Sequence, residues 1–472
     1  MKRIDVLPDD VLLEIFDFYV GIGLSLASGP STGKETSWQS LVHVCRRWRI
    51  LVFRSPRRLN LQLVCTPKTP ARNALDIWPA LPIIVKGNMM SPSRTDNIIE
   101  ALGQSNRVCK INLWYVSGWQ MEQVLAPTQV PFPELTLLRL FSVDETLPVI
   151  PDSFLGGSAP RIQSFELFGI PFPALPKLLL SADHLVTLWL YDIPHPAGYI
   201  SPEAMGTLLP VLPSLRALFL GFQSPQSFPG WASRSLPRPK RSTLPALYEF
   251  LFKGVTEYSE DLVTFIDTPK LNYFCITFFN QIDFDCPRLA QFIKCTPILR
   301  ALDEAHMQFD NKTASVKLRY RKPTFDSDGL QIEIPCREPD WQLSIIEQVC
   351  NSSLHPVSTV EDLYIKYRYW DQIWKDDAIE NTLWVQLLLP FSAVKNLYLF
   401  KEFAPGIAAA LQELVGGRMT EVLPSLQNIF VEGLEPSGSF QKNIGLFVAA
   451  RQLSDRPIAI RDWGEDSNKR PV

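Results

Sequence analysis

The sequence predicts a mixed α/β protein in which a small helical module precedes a solenoid of short parallel strands. Two observations carry this prediction. Near the N-terminus, apolar residues recur at three- and four-residue spacing, which is typical of short amphipathic helices. Further along, a short register of apolar residues returns at intervals of 23 to 34 residues, which indicates a repeat architecture.

The composition is that of a globular chain. Its 472 residues are 46% apolar and 20% charged, with a formal net charge of −3, so we expect no general affinity for nucleic acid or for an anionic membrane. Forty prolines disfavour a bundle of long helices. The eight cysteines form no C-x-x-C pair, and we expect neither a metal site nor a cofactor. An N-terminus without an apolar leader run predicts a location in the cytoplasm or the nucleus.

Two helical patterns open the chain. Pro8 suits a first helical turn, and Asp9 and Asp10 suit the positive end of the helix dipole. The apolar residues of this first pattern are Val11, Leu12, Ile15 and Phe16. A second pattern runs from Leu41 to Val52, and residues 21–37 between the two patterns are predicted to form a loop.

Together the two patterns closely resemble the F-box. The residues that carry the resemblance are Leu7-Pro8-x-x-Val11-Leu12-x-x-Ile15-Phe16 and Leu41-x-x-Val44-Cys45-Arg46-x-Trp48. F-boxes dock substrate receptors onto the Skp-family adaptor of cullin-type ubiquitin ligases. The resemblance covers about residues 3–55, and the connection over 21–37 is longer and more polar than is usual in the family.

The resemblance implies a set of residues that bind the adaptor or form the core of the module. This set consists of Leu7, Pro8, Val11, Leu12, Ile15, Leu41, Val44 and Trp48. The alternative interpretation is that these side chains only pack against the rest of the same chain.

The repeat has an apolar residue in the first place of its register, and further apolar residues in the fourth and sixth places. The register starts at Val108, Leu135, Ile162, Leu185, Leu215, Leu247, Leu271, Val360, Val394 and Leu426. We expect one short strand for each start, with the fourth and sixth side chains buried. The register resembles irregular leucine-rich repeats, which commonly accompany F-boxes, and this implies a horseshoe. An ordinary α/β domain with leucine-rich strands is the alternative.

The register lapses between residues 299 and 359. Leu299 and Leu302 begin it, but Glu304 stands where the third apolar residue belongs. Two segments with alternating apolar residues, 316–320 and 330–334, predict a hairpin inserted into the solenoid. The predicted domains are an F-box module over 1–66, a transition over 67–105, a solenoid over 106–463 with its hairpin at about 310–336, and a polar tail over 464–472.

The third, fifth and seventh places of the register alternate with the buried ones and are expected to project onto the concave side of the solenoid. The fifth and seventh places of the ten registers supply twenty candidate recognition positions. Ten of these twenty positions are aromatic, and exposed aromatic surface is typical of a binding site. The predicted target-binding residues are Trp114, Phe141, Phe168, Trp189, Tyr191, Phe219, Tyr364, Tyr398, Phe400 and Phe430. Alternatively, the rings pack on one another or on the inserted hairpin.

No catalytic motif is complete. The stretch 29–36 fails as a phosphate loop because Glu35 stands where Ser or Thr is required, and the five histidines lack the spacing of a metal or triad site. We therefore predict a non-catalytic substrate receptor that binds a Skp-family adaptor, through it a cullin, and an unidentified protein target. Two alternatives remain: a non-degradative scaffold whose F-box-like helices are only structural, and an enzyme on an α/β framework.

Overall fold

A computed structural model describes thirteen segments of the chain, which form two compact units, 1–200 and 201–472. The described residues are 7–25, 37–68, 71–90, 95–144, 146–224, 241–279, 286–300, 302–321, 328–352, 357–367, 380–416, 418–434 and 439–463. The predicted polar tail, 464–472, and the candidate phosphate loop, 29–36, lie outside the described residues.

The first unit begins with three helices and continues as a parallel sheet. The helices of this unit are α1 Asp9–Ser25, α2 Ser37–Val42, α3 Arg46–Arg54, α4 Ala71–Ile77, α5 Thr95–Leu102, α6 Gly118–Leu125 and α7 Leu175–Leu179. The strands are β1 Leu63–Cys65, β2 Ile83–Asn88, β3 Val108–Trp114, β4 Leu137–Phe141, β5 Ser164–Phe168 and β6 Thr187–Ile193. Each strand pairs in parallel with the next one along the chain.

The N-terminal helices differ from the prediction in two respects. Helix α1 continues to Ser25, beyond the predicted break at Gly21, because a glycine lowers helix propensity without ending a helix that is already propagating. The second pattern forms two helices rather than one. Cys45 has an extended backbone and its sulfur accepts from the Trp48 amide at 3.5 Å, which makes it the N-cap of α3.

The parallel sheet starts earlier than predicted. The segment 67–105 was expected to be a transition, yet it contains β2, which pairs in parallel with β3. The pairing aligns Val85 with the fourth place of the register, which puts Pro82 and Gly87 in the first and sixth places. Neither residue has the large aliphatic or aromatic side chain that the register has at these places elsewhere. Gly87 is required because a Cβ there would lie 2.3 Å from Cδ of Pro67.

The second unit has a longer sheet. Its helices are α8 Pro202–Leu208, α9 Thr256–Leu262, α10 Pro287–Cys295, α11 Pro339–Asn351, α12 Asn381–Leu388, α13 Ala404–Gln412 and α14 Ser439–Leu453. Its strands are β7 Ala217–Phe222, β8 Ser242–Thr243, β9 Glu249–Gly254, β10 Ile266–Asp267, β11 Tyr273–Phe278, β12 Glu304–Phe309, β13 Thr313–Arg319, β14 Gly329–Pro335, β15 Asp362–Tyr367, β16 Asn396–Leu399, β17 Asn428–Val431 and β18 Ala459–Asp462.

All ten starts of the register lead into strands, and the fourth and sixth side chains are buried in them. Ile111 and Leu113 of β3 and Leu397 and Leu399 of β16 are examples. In β3 and β16 the residue between these two is only half-buried, so that burial alternates along the strand. Both units are therefore mixed α/β structures whose cores lie on one face of a largely parallel sheet.

One meander interrupts the parallel order of the second unit. The strand order is β7-β9-β11-β14-β13-β12-β15-β16-β17-β18, and β13 is antiparallel to both of its neighbours. The two segments predicted as a hairpin pair directly, with Val316 opposite Ile332. Strand β12 was missed. Its pairing with β15 starts the register at Leu302 rather than Leu299, and the small side chain of Ala305 fills the fourth place.

Gly329, at the start of β14, allows the meander to turn back into the sheet. Its φ is +116°, and a Cβ there would lie 2.1 Å from the carbonyl oxygen of Leu318. We predict that Gly329→Ala lowers the free energy of unfolding by about 3 kcal/mol, because the backbone oxygen cannot move aside. Urea denaturation measures this change.

Gly445 provides the matched control. It lies inside α14 on an exposed surface, and a Cβ there would meet nothing within 4 Å. Gly445→Ala should raise the free energy of unfolding by about 0.5–1 kcal/mol, as expected for a helix interior. Equal effects of the two substitutions would show that the close approach at Gly329 is not a constraint.

Candidate functional site

Helix α1 carries two apolar stripes on opposite sides. One stripe, Leu12, Phe16 and Val20, is buried against the rest of the first unit. The other, which we call the outer stripe, consists of Val11, Ile15 and Phe18, with exposed fractions of 42%, 44% and 72%. Their spacing of four and three residues places them on one side of the helix. The described part of the chain leaves this side uncovered.

Helix α3 and the turn that follows it hold α1 in place through one aromatic contact and two ion pairs. The rings of Phe16 and Trp48 lie 4.6 Å apart. The guanidinium of Arg47 donates to Asp9 at 2.6 Å and to the carbonyl oxygen of Leu7, also at 2.6 Å. Arg58 pairs with Glu14. These contacts use the inner stripe and the polar flanks of α1, and leave the outer stripe free of them.

The predicted adaptor-binding set divides between core and surface. Leu12 and Leu41 are buried, and Leu7 and Trp48 are half-buried. Pro8, Val11, Ile15 and Val44 are exposed. The sequence reasoning missed Phe18, although it lies seven residues beyond Val11 and three beyond Ile15, a spacing that identifies the same side of a helix.

The open face of the first unit carries a row of aromatic rings, which we call the ring row. It consists of Trp114, Phe141, Phe168 and Tyr191, from four adjacent strands. Successive ring centroids lie 5.4, 4.3 and 5.9 Å apart. All four side chains are half-buried, so their edges remain available to a ligand.

A polar row runs beside the ring row, two residues earlier on the same strands. Arg139 and Glu166 form a bidentate ion pair at 2.5 and 2.7 Å. Asn112 and Trp189 flank this pair. The amide oxygen of Asn112 and the indole nitrogen of Trp189 are buried without a hydrogen-bond partner among the described residues. Unpaired buried polar atoms are rare in folded proteins, so these two distinguish the polar row from an ordinary core.

Tyr115 extends the ring row in a strained conformation. It occupies the eighth place of the register, where the backbone has a positive φ in several repeats: +57° at Tyr115, +70° at Gly169, +47° at Asp192 and +62° at Gly433. A tyrosine in this conformation is unfavourable, whereas glycine adopts it freely. The ring of Tyr115 is exposed and lies edge-on to Phe141 at 5.1 Å. The strain thus places an aromatic side chain at the edge of the ring row.

The aromatic residues of the second unit are largely satisfied by one another. His306, Tyr364, Tyr398 and Phe430 stack on four adjacent strands, with centroids 4.2–4.6 Å apart and ring planes within 8° of parallel. Trp463 packs against Tyr364, Tyr398 and Phe400 at 5.5–5.9 Å. Here the interpretation that the rings pack on one another describes the structure better than an open strip does.

A buried charged network lies beside this stack. The carboxylate of Glu304 accepts from Arg319 at 2.6 Å and lies 3.4 Å from Nε2 of His306. Burial lowers the pKa of His306 to about 4. Burial by itself would raise the pKa of Glu304, but its hydrogen bond with His306 and the charge of Arg319 lower it. His306 is therefore neutral at pH 7.

Phe219, another of the predicted target-binding residues, has its ring over Gly221 of the same strand. A Cβ on Gly221 would lie 2.7 Å from the ring of Phe219, so the glycine makes room for that ring.

Across the described segments, no cluster of three or more His, Cys, Asp or Glu is arranged to hold a metal ion. No described helix is long and apolar enough to span a membrane.

Two solved leucine-rich-repeat or Toll-like-receptor structures are remotely similar to this chain. No protein family and no curated protein matches the chain. The leucine-rich-repeat-containing protein LegL7 from Legionella pneumophila is 12% identical with a TM-score of 0.26, over 84% of this chain and 98% of that one. A TLR13–ssRNA13 complex is 12% identical with a TM-score of 0.32, over 84% of this chain and 49% of that one. These TM-scores are too low to decide fold or ligand, and the fold class therefore rests on the strand pairings.

The strain at Tyr115 has a measurable consequence for stability. We predict that Tyr115→Gly is more stable than Tyr115→Ala by about 1 kcal/mol, because both lose the contact with Phe141 and only glycine relieves the positive φ. Phe141, in an extended strand, is the control: there the alanine variant should be the more stable of the two. The same order at both positions, measured by urea denaturation, would refute the strain.

Burial of neutral His306 should make stability fall in acid. Its pKa in the unfolded chain is about 6.5, so between pH 6.5 and pH 4 the unfolded state takes up a proton that the folded state does not. We predict that the wild type loses on the order of 3 kcal/mol more than His306→Phe over this range. The phenylalanine preserves the stack on Tyr364. Parallel stability curves for the two proteins would contradict the assignment.

Proposed function

We propose that the protein is a non-catalytic receptor subunit of a Skp-cullin-F-box type ubiquitin ligase. In this proposal the N-terminal helices bind the Skp-family adaptor, and the leucine-rich-repeat-type solenoid binds a protein target for ubiquitin transfer by other subunits. The observation that carries it is the outer stripe of α1. Three large apolar side chains on one side of a helix remain exposed after that helix has already buried its opposite side.

An uncovered stripe of this kind is a feature of interaction surfaces. Burying one such side chain contributes about 1.5–3 kcal/mol, and contiguous exposed apolar surface on a soluble protein marks a contact site. Val11 and Ile15 of the outer stripe also belong to the F-box-like motif, and that resemblance supplies the occupant, the Skp-family adaptor. If the motif were only structural, its apolar residues would all be needed inside the chain.

We place the proposed contact with the protein target on the first unit. The ring row has half-exposed edges there. In the second unit, by contrast, Tyr364 is buried, and the half-buried Tyr398 is stacked between Tyr364 and Phe430. We therefore propose Trp114, Phe141, Phe168 and Tyr191 as target-binding residues, and assign Tyr364, Tyr398 and Phe430 to packing.

A substitution on the outer stripe tests the adaptor half of the proposal. We predict that Ile15→Asp weakens binding to a purified Skp-family adaptor by about 30-fold or more, as for a central apolar contact. Isothermal titration calorimetry measures the affinity. The folded protein should keep its stability, because the side chain of Ile15 is exposed.

Leu389 is a matched control, since its side chain is also exposed by 44%. It is the C-cap residue of α12 in the second unit. Leu389→Asp should bind the adaptor as the wild type does. A wild-type protein that forms no complex with the adaptor would favour the alternative, a non-degradative scaffold with a structural helical cap. Substitution of Leu12 is unsuitable for this test because that side chain is buried in the core.

A further inference from the structure

A line of exposed side chains with an arginine at each end runs along α3, next to the helix that carries the outer stripe. Arg46, Ile50 and Arg54 are exposed and lie four residues apart, and therefore on one side of the helix. We call this line the basic ridge. It is about 12 Å long at 1.5 Å per residue. Residues 36–75 contain eight Lys or Arg and no Asp or Glu, so the segment itself offers the ridge no counter-charge.

The acids of α1 do not neutralise the ridge. Asp9 pairs with Arg47, and Glu14 pairs with Arg58. Within the described segments, neither Arg46 nor Arg54 forms an ion pair. The two arginines that pair with α1, Arg47 and Arg58, are thus those that fix the helices together. Arg46 and Arg54 are exposed to solvent.

Arg46 also stands at an unfavourable position in its helix. It is the first residue of α3, whose first turn contains no acidic residue. The N-terminus of a helix carries partial positive charge, so a cation there is repelled. Stability of the isolated chain does not account for an arginine at this place, whereas a negatively charged partner would.

We propose that the basic ridge is part of the adaptor-docking surface and receives an acidic segment of the adaptor. This inference rests on the proposed function and goes further by stating the chemistry of the partner. The occupant is argued from charge complementarity: two outward arginines flank an exposed isoleucine, which suits a protein segment with both acidic and apolar side chains. A phosphate backbone would use the arginines but not Ile50, and the net charge of −3 does not favour nucleic acid.

The association rate with a purified Skp-family adaptor tests the ridge, because complementary charge acts mainly on the rate of encounter. We expect the full-length Arg46→Glu/Arg54→Glu variant to associate about tenfold more slowly than the wild type at low ionic strength, with a weaker dependence of the rate on salt. Arg46→Glu alone should leave the midpoint of thermal unfolding unchanged or raise it, since the new acid suits the helix N-terminus.

Arg216→Glu/Arg337→Glu is the control. Both arginines are exposed residues of the second unit, and the variant undergoes the same change in net charge. It should associate as the wild type does, within about twofold. If it slows as much as the ridge variant does, the effect belongs to total charge and the ridge is refuted.

The remaining outcomes separate the two proposals. Failure of the wild type to bind the adaptor overturns the proposed function and the ridge with it. A wild-type complex whose association rate is unaffected by the ridge variant overturns the ridge alone. Tighter binding of the wild type to vesicles containing phosphatidylserine, or to duplex DNA, than to the adaptor, lost in the ridge variant, would assign the ridge to phosphate groups and overturn the adaptor contact.

Discussion

The sheet strands of each unit depend on the stacking of each short strand against the next. A strand such as β16 or β17 has four residues and contributes only two fully buried apolar side chains to the core. Those side chains are covered because the neighbouring strands place equivalent residues beside them, in register. Stability therefore accumulates along the sheet rather than within a single repeat. A further consequence is that the opposite face of the strands is free to vary in sequence.

The two units use this open face differently. In the second unit, stacked rings, Trp463 and the buried pair of Glu304 and Arg319 fill much of this face. Buried charges contribute little net stability, but each strongly disfavours arrangements that leave it unpaired. Their location on β12 and β13, where the parallel order is interrupted, is suited to holding the register of the meander. In the first unit the ring row keeps exposed edges, and the strain at Tyr115 adds to it.

The sequence predicted the coarse architecture well because the repeat uses large apolar side chains at constant places. The mixed α/β class and the ten strands of the register follow from those places. Strand β2 could not be found in this way, since Pro82 and Gly87 replace the expected residues, and β12 was hidden by the small side chain of Ala305. The predicted site residues could not be divided into exposed and enclosed ones. That division depends on Trp463 and His306, which contact the stack only after the chain has folded.

The outer stripe of α1 is exposed in the described part of the chain. We propose that a second protein, the Skp-family adaptor, covers it. Hydroxyl-radical footprinting tests this claim directly, because Phe16 and Phe18 are chemically identical, lie on the same helix and differ in exposure. In the isolated protein, Phe18 should be oxidised readily and Phe16 hardly at all, and addition of the Skp-family adaptor should protect Phe18. Equal protection of both rings in the isolated protein, or no change at Phe18 on addition of the adaptor, would contradict the account.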